Sequence, residues 1–140
     1  MKISKRAQYG LRAMVFLAKS YNGPKGAPKV ASTKTISENE GVSFDFLEKI
    51  IRQLAEAKLV NGKKGVQGGY SLSRSPKKIN ANDVVSVLEG RGNSPGYSKK
   101  VVDCSLCARK SKCLTKNVWQ KVETSLNKTL KSITLADLIK

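Results

Sequence analysis

Three thiols stand within ten residues in DCSLCARKSKC: Cys104, Cys107 and Cys113, spaced CxxCx5C. Thiolates are soft donors that select iron–sulfur clusters or zinc. Arg109, Lys110 and Lys112 lie beside them and favour the deprotonated form. Three thiols next to a Gly- and Ser-rich stretch are not a core-packing pattern. Three readings stay open: an iron–sulfur cluster, most simply 2Fe–2S; zinc or direct thiol redox sensing; and inert thiols. A fourth ligand is not evident. Lys116 follows Cys113 by three positions and is a poor ligand while protonated. Asp103, Asn117, Glu123, a backbone group, water, a small thiol or a second subunit remain. The chain has no histidine. That excludes Ser-His-Asp and Cys-His catalysis, HExxH sites and histidine-ligated zinc. A thiol oxidoreductase would need a βαβ pattern before its CxxC, and none precedes Cys104. The chain is therefore not expected to be an enzyme.

The second chemistry is cationic. Lys plus Arg number 27 against 10 acidic residues, a net charge of +17. Residues 1–80 hold 16 basic and 5 acidic side chains, a surplus of 11. Such an excess repels itself in a compact chain, so an anionic partner is expected. Nucleic acid is the leading one, because each neutralised phosphate releases counterions. A membrane surface would call for a basic amphipathic helix with aromatic anchors, which no segment shows. Lysines present for solubility alone would normally be mixed with acids.

These side chains need a frame. Ile3, Ala7, Leu11, Met14, Val15 and Ala18 recur at three- and four-residue steps, so residues 3–20 are expected to be helical. Two Gly and two Pro in NGPKGAP, 22–28, make a loop. TISENEG, 35–41, reads as a short helix ended by Gly41. Ser43 then caps a helix over 43–57, with Leu47, Ile50, Ile51 and Leu54 on one face and Asp45 in the first turn. Two helices around a tight Gly turn are a helix-turn-helix. Residues 59–72 read as a β-hairpin with a basic, glycine-rich tip, a wing. GVQGG is not a phosphate loop, since GK[ST] or GxGxxG before a helix is missing and a strand follows. Ser75-Pro76 ends the wing. A short helix at 80–89, capped by Asn80 or Asn82, leads into a flexible loop over 90–100. A helix near 115–131 carries Val118, Val122, Leu126 and Leu130 at four-residue steps, with Trp119 and Ile133 nearby. That narrow stripe suits pairing with a second subunit, or packing on its own domain.

The fold expected is mainly α with a small β-hairpin wing: a winged helix-turn-helix plus a long C-terminal dimerisation helix. The units are 1–80, which binds DNA; 81–114, a linker helix and cysteine-containing sensor loop; and 115–140, the dimerisation helix and C-terminal segment. A chain of 140 residues can form a core without disulfides. AMVFLA, 13–18, is too short for a signal or a membrane span, which need roughly 7–15 and about 20 residues. A cytoplasmic protein with reduced cysteines is expected, and an odd cysteine count argues against a closed disulfide framework. If the helix at 43–57 enters the major groove N-terminal end first, Ser43, Phe44, Asp45, Glu48, Lys49 and Arg52 can reach double-stranded DNA. Ser43 can donate to phosphate or base, Glu48 can accept from cytosine, and Lys49 or Arg52 can pair with phosphate. Glu48 could equally be a solvated helix charge. Lys63 and Lys64 at the wing tip suit phosphate or the minor groove.

The sequence resembles the IscR-like winged-helix transcriptional regulators, a family with iron–sulfur, nitric-oxide- and cysteine-sensing members. The resemblance rests on MKISKRAQYGLRAMVFLA, GVSFDFLEKIIRQLAEAKLV, GVQGGYSLSRSPKKINANDVVSVLEG, CLTKNVW and SITLADLI, in order over essentially the whole chain. It implies a homodimer crossed through the C-terminal helices and DNA binding with the wing in the minor groove, and it places Glu48 at a position linked to site discrimination. Similar regulators hold an iron–sulfur cluster with three cysteines in this region. The function expected is a sequence-specific regulator, a repressor, set by a cluster on the three cysteines, each subunit reading one half of a palindromic operator. Three departures stand out. The spacing is often wider in such regulators, whereas only two residues separate Cys104 from Cys107. Lys116 replaces a ligating histidine, and Gln8 occupies a position where some relatives supply a carboxylate. A cluster-free sensor and a non-specific nucleic-acid binder are the alternatives.

Overall fold

The computed structural model describes residues 2–23, 25–26, 29–90, 108–109 and 111–140. Helix α1, Lys5–Lys19, starts where the Ser4 hydroxyl accepts the Ala7 N–H. That cap leaves Ile3 outside the helix and 44% exposed, two residues short of the start expected from periodicity. Ala7, Gly10, Ala13, Met14, Leu17 and Ala18 form the buried stripe. Gly10 sits mid-helix for a steric reason. A Cβ there would lie 2.0 Å from Leu88 Cδ1, so α1 could not approach the helix that carries Leu88.

Helix α2, Thr33–Glu40, is capped by Ser32 and ends at Gly41 in the left-handed region, φ 65°. The Ser32 hydroxyl starts it two residues before the expected TISENEG segment. Helix α3, Phe44–Glu56, begins at Ser43 and buries Leu47, Ile50, Ile51 and Leu54. Both the stripe and the cap match the sequence pattern. Lys58 follows with φ 61°, a conformation L-residues rarely adopt. It swings the chain so that Leu59 N–H donates to Leu54 O at 3.0 Å.

Strands β1, Val60–Lys63, and β2, Gly69–Leu72, pair antiparallel from Val60–Leu72 to Lys63–Gly69. Ala31 adds a bridge to Tyr70, with reciprocal backbone bonds of 2.9 and 2.8 Å. Gly69 permits it, since a Cβ there would meet Ala31 O at 2.4 Å. After a short turn, Pro76–Lys78, capped by Ser75, comes helix α4, Ala81–Glu89. Asn80 and Asp83 cap α4 reciprocally. Helix α5 is Lys116–Lys131, and α6 is Leu135–Leu138, capped reciprocally by Thr134 and Asp137.

The two reciprocal caps meet. Asn80 and Thr134 form a β-bridge in which Ala81 N–H donates to Ile133 O and Leu135 N–H to Ile79 O. Leu135 thereby enters the core beside Ile79 with no exposed surface. The end of the chain is thus built into the helix-turn-helix body, which no local pattern announces. The described chain is mainly helical with one two-stranded hairpin, as the sequence implies. No helix among the described residues is long and apolar enough to cross a membrane. Of the loop expected over 90–100, residues 91–100 lie outside the described residues, as do Cys104 and Cys107.

Candidate nucleic-acid interface and cysteine segment

The buried face of α3 turns its other face outward. Ser43, Phe44, Asp45, Lys49 and Arg52 are exposed, and Glu48 is partly so. Ser43 accepts the Phe46 N–H through Oγ at 3.4 Å, and its own hydroxyl proton stays available. Phe44 is 46% exposed at the first helical position, where an apolar ring has no packing reason to be. Glu48 and Arg52 form an i,i+4 ion pair at 3.4 Å. The sequence pattern treats them as separate groups, whereas the fold pairs them. Each thus restricts where the other points.

Behind this helix stands Arg12, which lies off the apolar stripe of residues 3–20. Arg12 on α1 donates through Nε to Glu40 Oε2 at 3.1 Å and through Nη2 to Glu40 O at 2.6 Å. It therefore satisfies a carbonyl at the end of α2, beside the Gly41 turn. Its guanidinium lies 5.6 Å from the Tyr9 ring centre, and Tyr9 meets Phe46 edge-on at 5.8 Å. One cluster from α1 thus braces the end of α2 and the start of α3.

The hairpin places Lys63 at the end of β1 and Lys64 just after it, both exposed. Its tip is closed by Gly68 N–H to Gly65 O at 2.9 Å. Gly68 is required there, since a Cβ would lie 2.2 Å from Lys63 O. Val66 projects fully into solvent at this tip, a second group that the sequence pattern did not single out. The Leu59–Leu54 bond and Lys58 tie β1 directly to the end of α3. The helix face and the basic tip are thus held in one frame.

Of the three cysteines, Cys113 is described. It is partly exposed, with Sγ 3.2 Å from Thr115 Oγ1. The Thr115 hydroxyl, then the Thr115 N–H, hold its thiol below the ordinary range, and the Lys116 N–H and charge add to this. A thiolate-prone sulfur is what the sequence predicts, but the cation acting on it is Lys116 rather than Arg109 or Lys112. Among the described residues, no three His, Cys, Asp or Glu are placed to hold a metal. Gln8 donates its amide to Ile3 O at 2.9 Å. On α5 no residue is buried, and Val118, Trp119 and Leu126 are 51%, 36% and 38% exposed.

A family model described as "Rrf2: Iron-dependent Transcriptional regulator" matches residues 3–140. The chain is 32% identical to Protein rrf2 of Nitratidesulfovibrio vulgaris, over 100% of this chain and 88% of that protein. Among solved structures, T. potens IscR aligns with TM-score 0.73 at 36% identity, over 99% of this chain and 86% of that one. CymR, the global cysteine regulator of B. subtilis, aligns with TM-score 0.71 at 31% identity, over 99% and 96%.

Proposed function

The chain belongs to the Rrf2 family of winged-helix transcriptional regulators, and on that premise we propose that it is a homodimeric repressor of a palindromic operator, controlled by an iron–sulfur cluster on Cys104, Cys107 and Cys113. It is a DNA-binding regulator and not an enzyme. In this reading Ser43, Phe44, Asp45, Glu48, Lys49 and Arg52 meet the major groove, and Lys63 and Lys64 meet phosphate or the minor groove. The observation that carries it is the polar face of α3, presented outward and hydrogen-bonded through Leu59 to the basic hairpin. A second subunit would cover the apolar face of α5. Two α3 helices would then read half-sites about one helical turn, or a multiple of it, apart.

The test is binding to the cognate promoter over a salt series, with Glu48→Ala in parallel. The native protein should prefer its operator at about 150 mM salt, and Glu48→Ala should alter which sites it prefers. Equal binding to every duplex, unchanged by the substitution, would leave a non-specific binder.

The donor set fits a cluster. Cys113 offers a partly exposed sulfur that ionises readily, and the three sulfurs share one short segment. When bound, the cluster supplies an oxidant-sensitive centre. Lys116 would stabilise the Cys113 thiolate through its charge rather than ligate. A second reading, a cluster-free thiol sensor of the kind that a cysteine regulator suggests, is favoured by the same partly exposed thiol. An absorption spectrum of anaerobically purified protein, with iron and acid-labile sulfide assays, separates the two. Visible bands with matched iron and sulfide support the cluster. A colourless, iron-free protein that resists reconstitution supports a thiol or zinc sensor, with the DNA-binding reading untouched.

A further inference from the structure

At the base of the hairpin, the end away from its tip, a cavity of about 510 Å³ opens between the C-terminal turn of α1 and the segment that leaves β2. Such a volume is in the range that holds small ligands. Its apolar floor is Leu17 and Leu72. Lys29, Arg74 and Lys78 line it, and no acidic residue is among its described lining. Arg74 is oriented from outside: Nε donates to Lys78 O at 3.2 Å, and the guanidinium lies 3.8 Å from Asp83. Lys29 and Lys78 form no ion pair among the described residues, so their charge is unneutralised. Ser73, also in the wall, has a buried Oγ with no hydrogen-bond partner. A buried hydroxyl without an acceptor is uncommon in folded proteins and calls for an explanation.

We propose that this cavity is a binding site for a phosphate-class oxyanion. Two ammonium groups and one fixed guanidinium match an anion with several acceptor oxygens. Asn61 lines the cavity and can donate from the hairpin; the buried Ser73 hydroxyl would join it once the wall opens toward a bound anion. The apolar floor takes the carbon part of a phosphorylated metabolite, whereas a phosphate of bound DNA would occupy only the cationic rim. The site is separate from the outward face of α3 and from the hairpin tip. Its occupant would brace the hairpin against α1 and so set the angle of the tip. This proposal does not depend on the cysteine segment or on the identity of the operator.

The test is an NMR titration of the full-length protein with potassium phosphate at constant ionic strength, following backbone amides. The expected result is a saturable shift of Ser71, Ser73 and Arg74 while Lys64 and Val66 stay still. The double variant Lys29→Gln/Lys78→Gln should weaken that response at least tenfold at an unchanged melting temperature. Ser73→Val, similar in volume but without the hydroxyl, should weaken it severalfold. No saturation, or equal shifts at the hairpin tip, would overturn the proposal and leave a diffuse anion atmosphere. Repeating the titration on protein saturated with a DNA duplex identifies the source. A retained phosphate response means a free anion, and loss of the response together with DNA-induced shifts of the same amides means a DNA phosphate.

Discussion

Thr115 offers both its hydroxyl and its backbone N–H to the Cys113 sulfur, and the Lys116 N–H and charge add to them, so the thiol ionises below its ordinary range. Because the folded chain favours the thiolate, this contribution to stability is complete above the ordinary thiol range. It fades as pH falls through the lowered value. The same bonds set reactivity, since the thiolate is both the nucleophile and the metal ligand. With Cys104→Ser and Cys107→Ser in place, alkylation of Cys113 should therefore show a midpoint pH below that of a free thiol. Thr115→Val should move the midpoint up, and Thr115→Ser should leave it nearly unchanged. A midpoint indifferent to Thr115→Val would remove the hydroxyl from the account. The thiol triplet was legible in the sequence because spacing and residue type are local. The threonine's part was not, because CxT becomes a contact only once a turn folds it back onto the sulfur.

At the level of the elements, α1 and α4 cross at Gly10, where a Cβ would reach 2.0 Å from Leu88 Cδ1 and 3.2 Å from Ile50 Cγ2. Both neighbours are buried, so neither has room to retreat. Gly10→Val should destabilise the fold by about 2 kcal/mol through overpacking, despite a small gain in helix propensity, and lower Tm by several degrees. A melt that matches the native chain would mean that the crossing adjusts freely. Helix α3 was legible because Ser43, Gly41 and the Leu47–Ile50–Ile51–Leu54 stripe all agree. The Ala31–Tyr70 and Asn80–Thr134 bridges were not. Each joins backbone groups that no periodicity relates, and Leu135 looks like an ordinary apolar residue until that second bridge carries it into the core. The bracing by Arg12 was hidden for a similar reason. An exposed arginine off the apolar stripe declares nothing until Glu40 is folded beside it.

Two features belong to the whole molecule: its net charge and the exposed apolar residues of α5. Helix α5 has no fully buried residue: its Leu130 packs on the core, whereas Val118, Trp119 and Leu126 keep exposed apolar surface that a second copy would cover. Leu126→Lys should turn a dimer into a monomer in sedimentation equilibrium and weaken operator binding, while the helix-turn-helix body keeps its melting temperature. A monomer already present in the native protein would shift the stripe's role to intrachain packing. The net charge of +17 makes binding strongly salt-dependent, but the surplus is spread along the chain, so total charge does not say which lysines meet phosphate. The slope of log K against log salt does say, since each phosphate contact contributes about 0.9 on duplex DNA. If Lys63 and Lys64 each neutralise one phosphate per subunit, Lys63→Gln/Lys64→Gln should lower the slope by about 3.6 in a dimer. The loss in affinity should then be nearly equal for operator and random sequence, because phosphate contacts position a protein without reading bases. A loss confined to the operator would instead make the hairpin tip a reader of groove shape. An unchanged slope would take both lysines out of the interface.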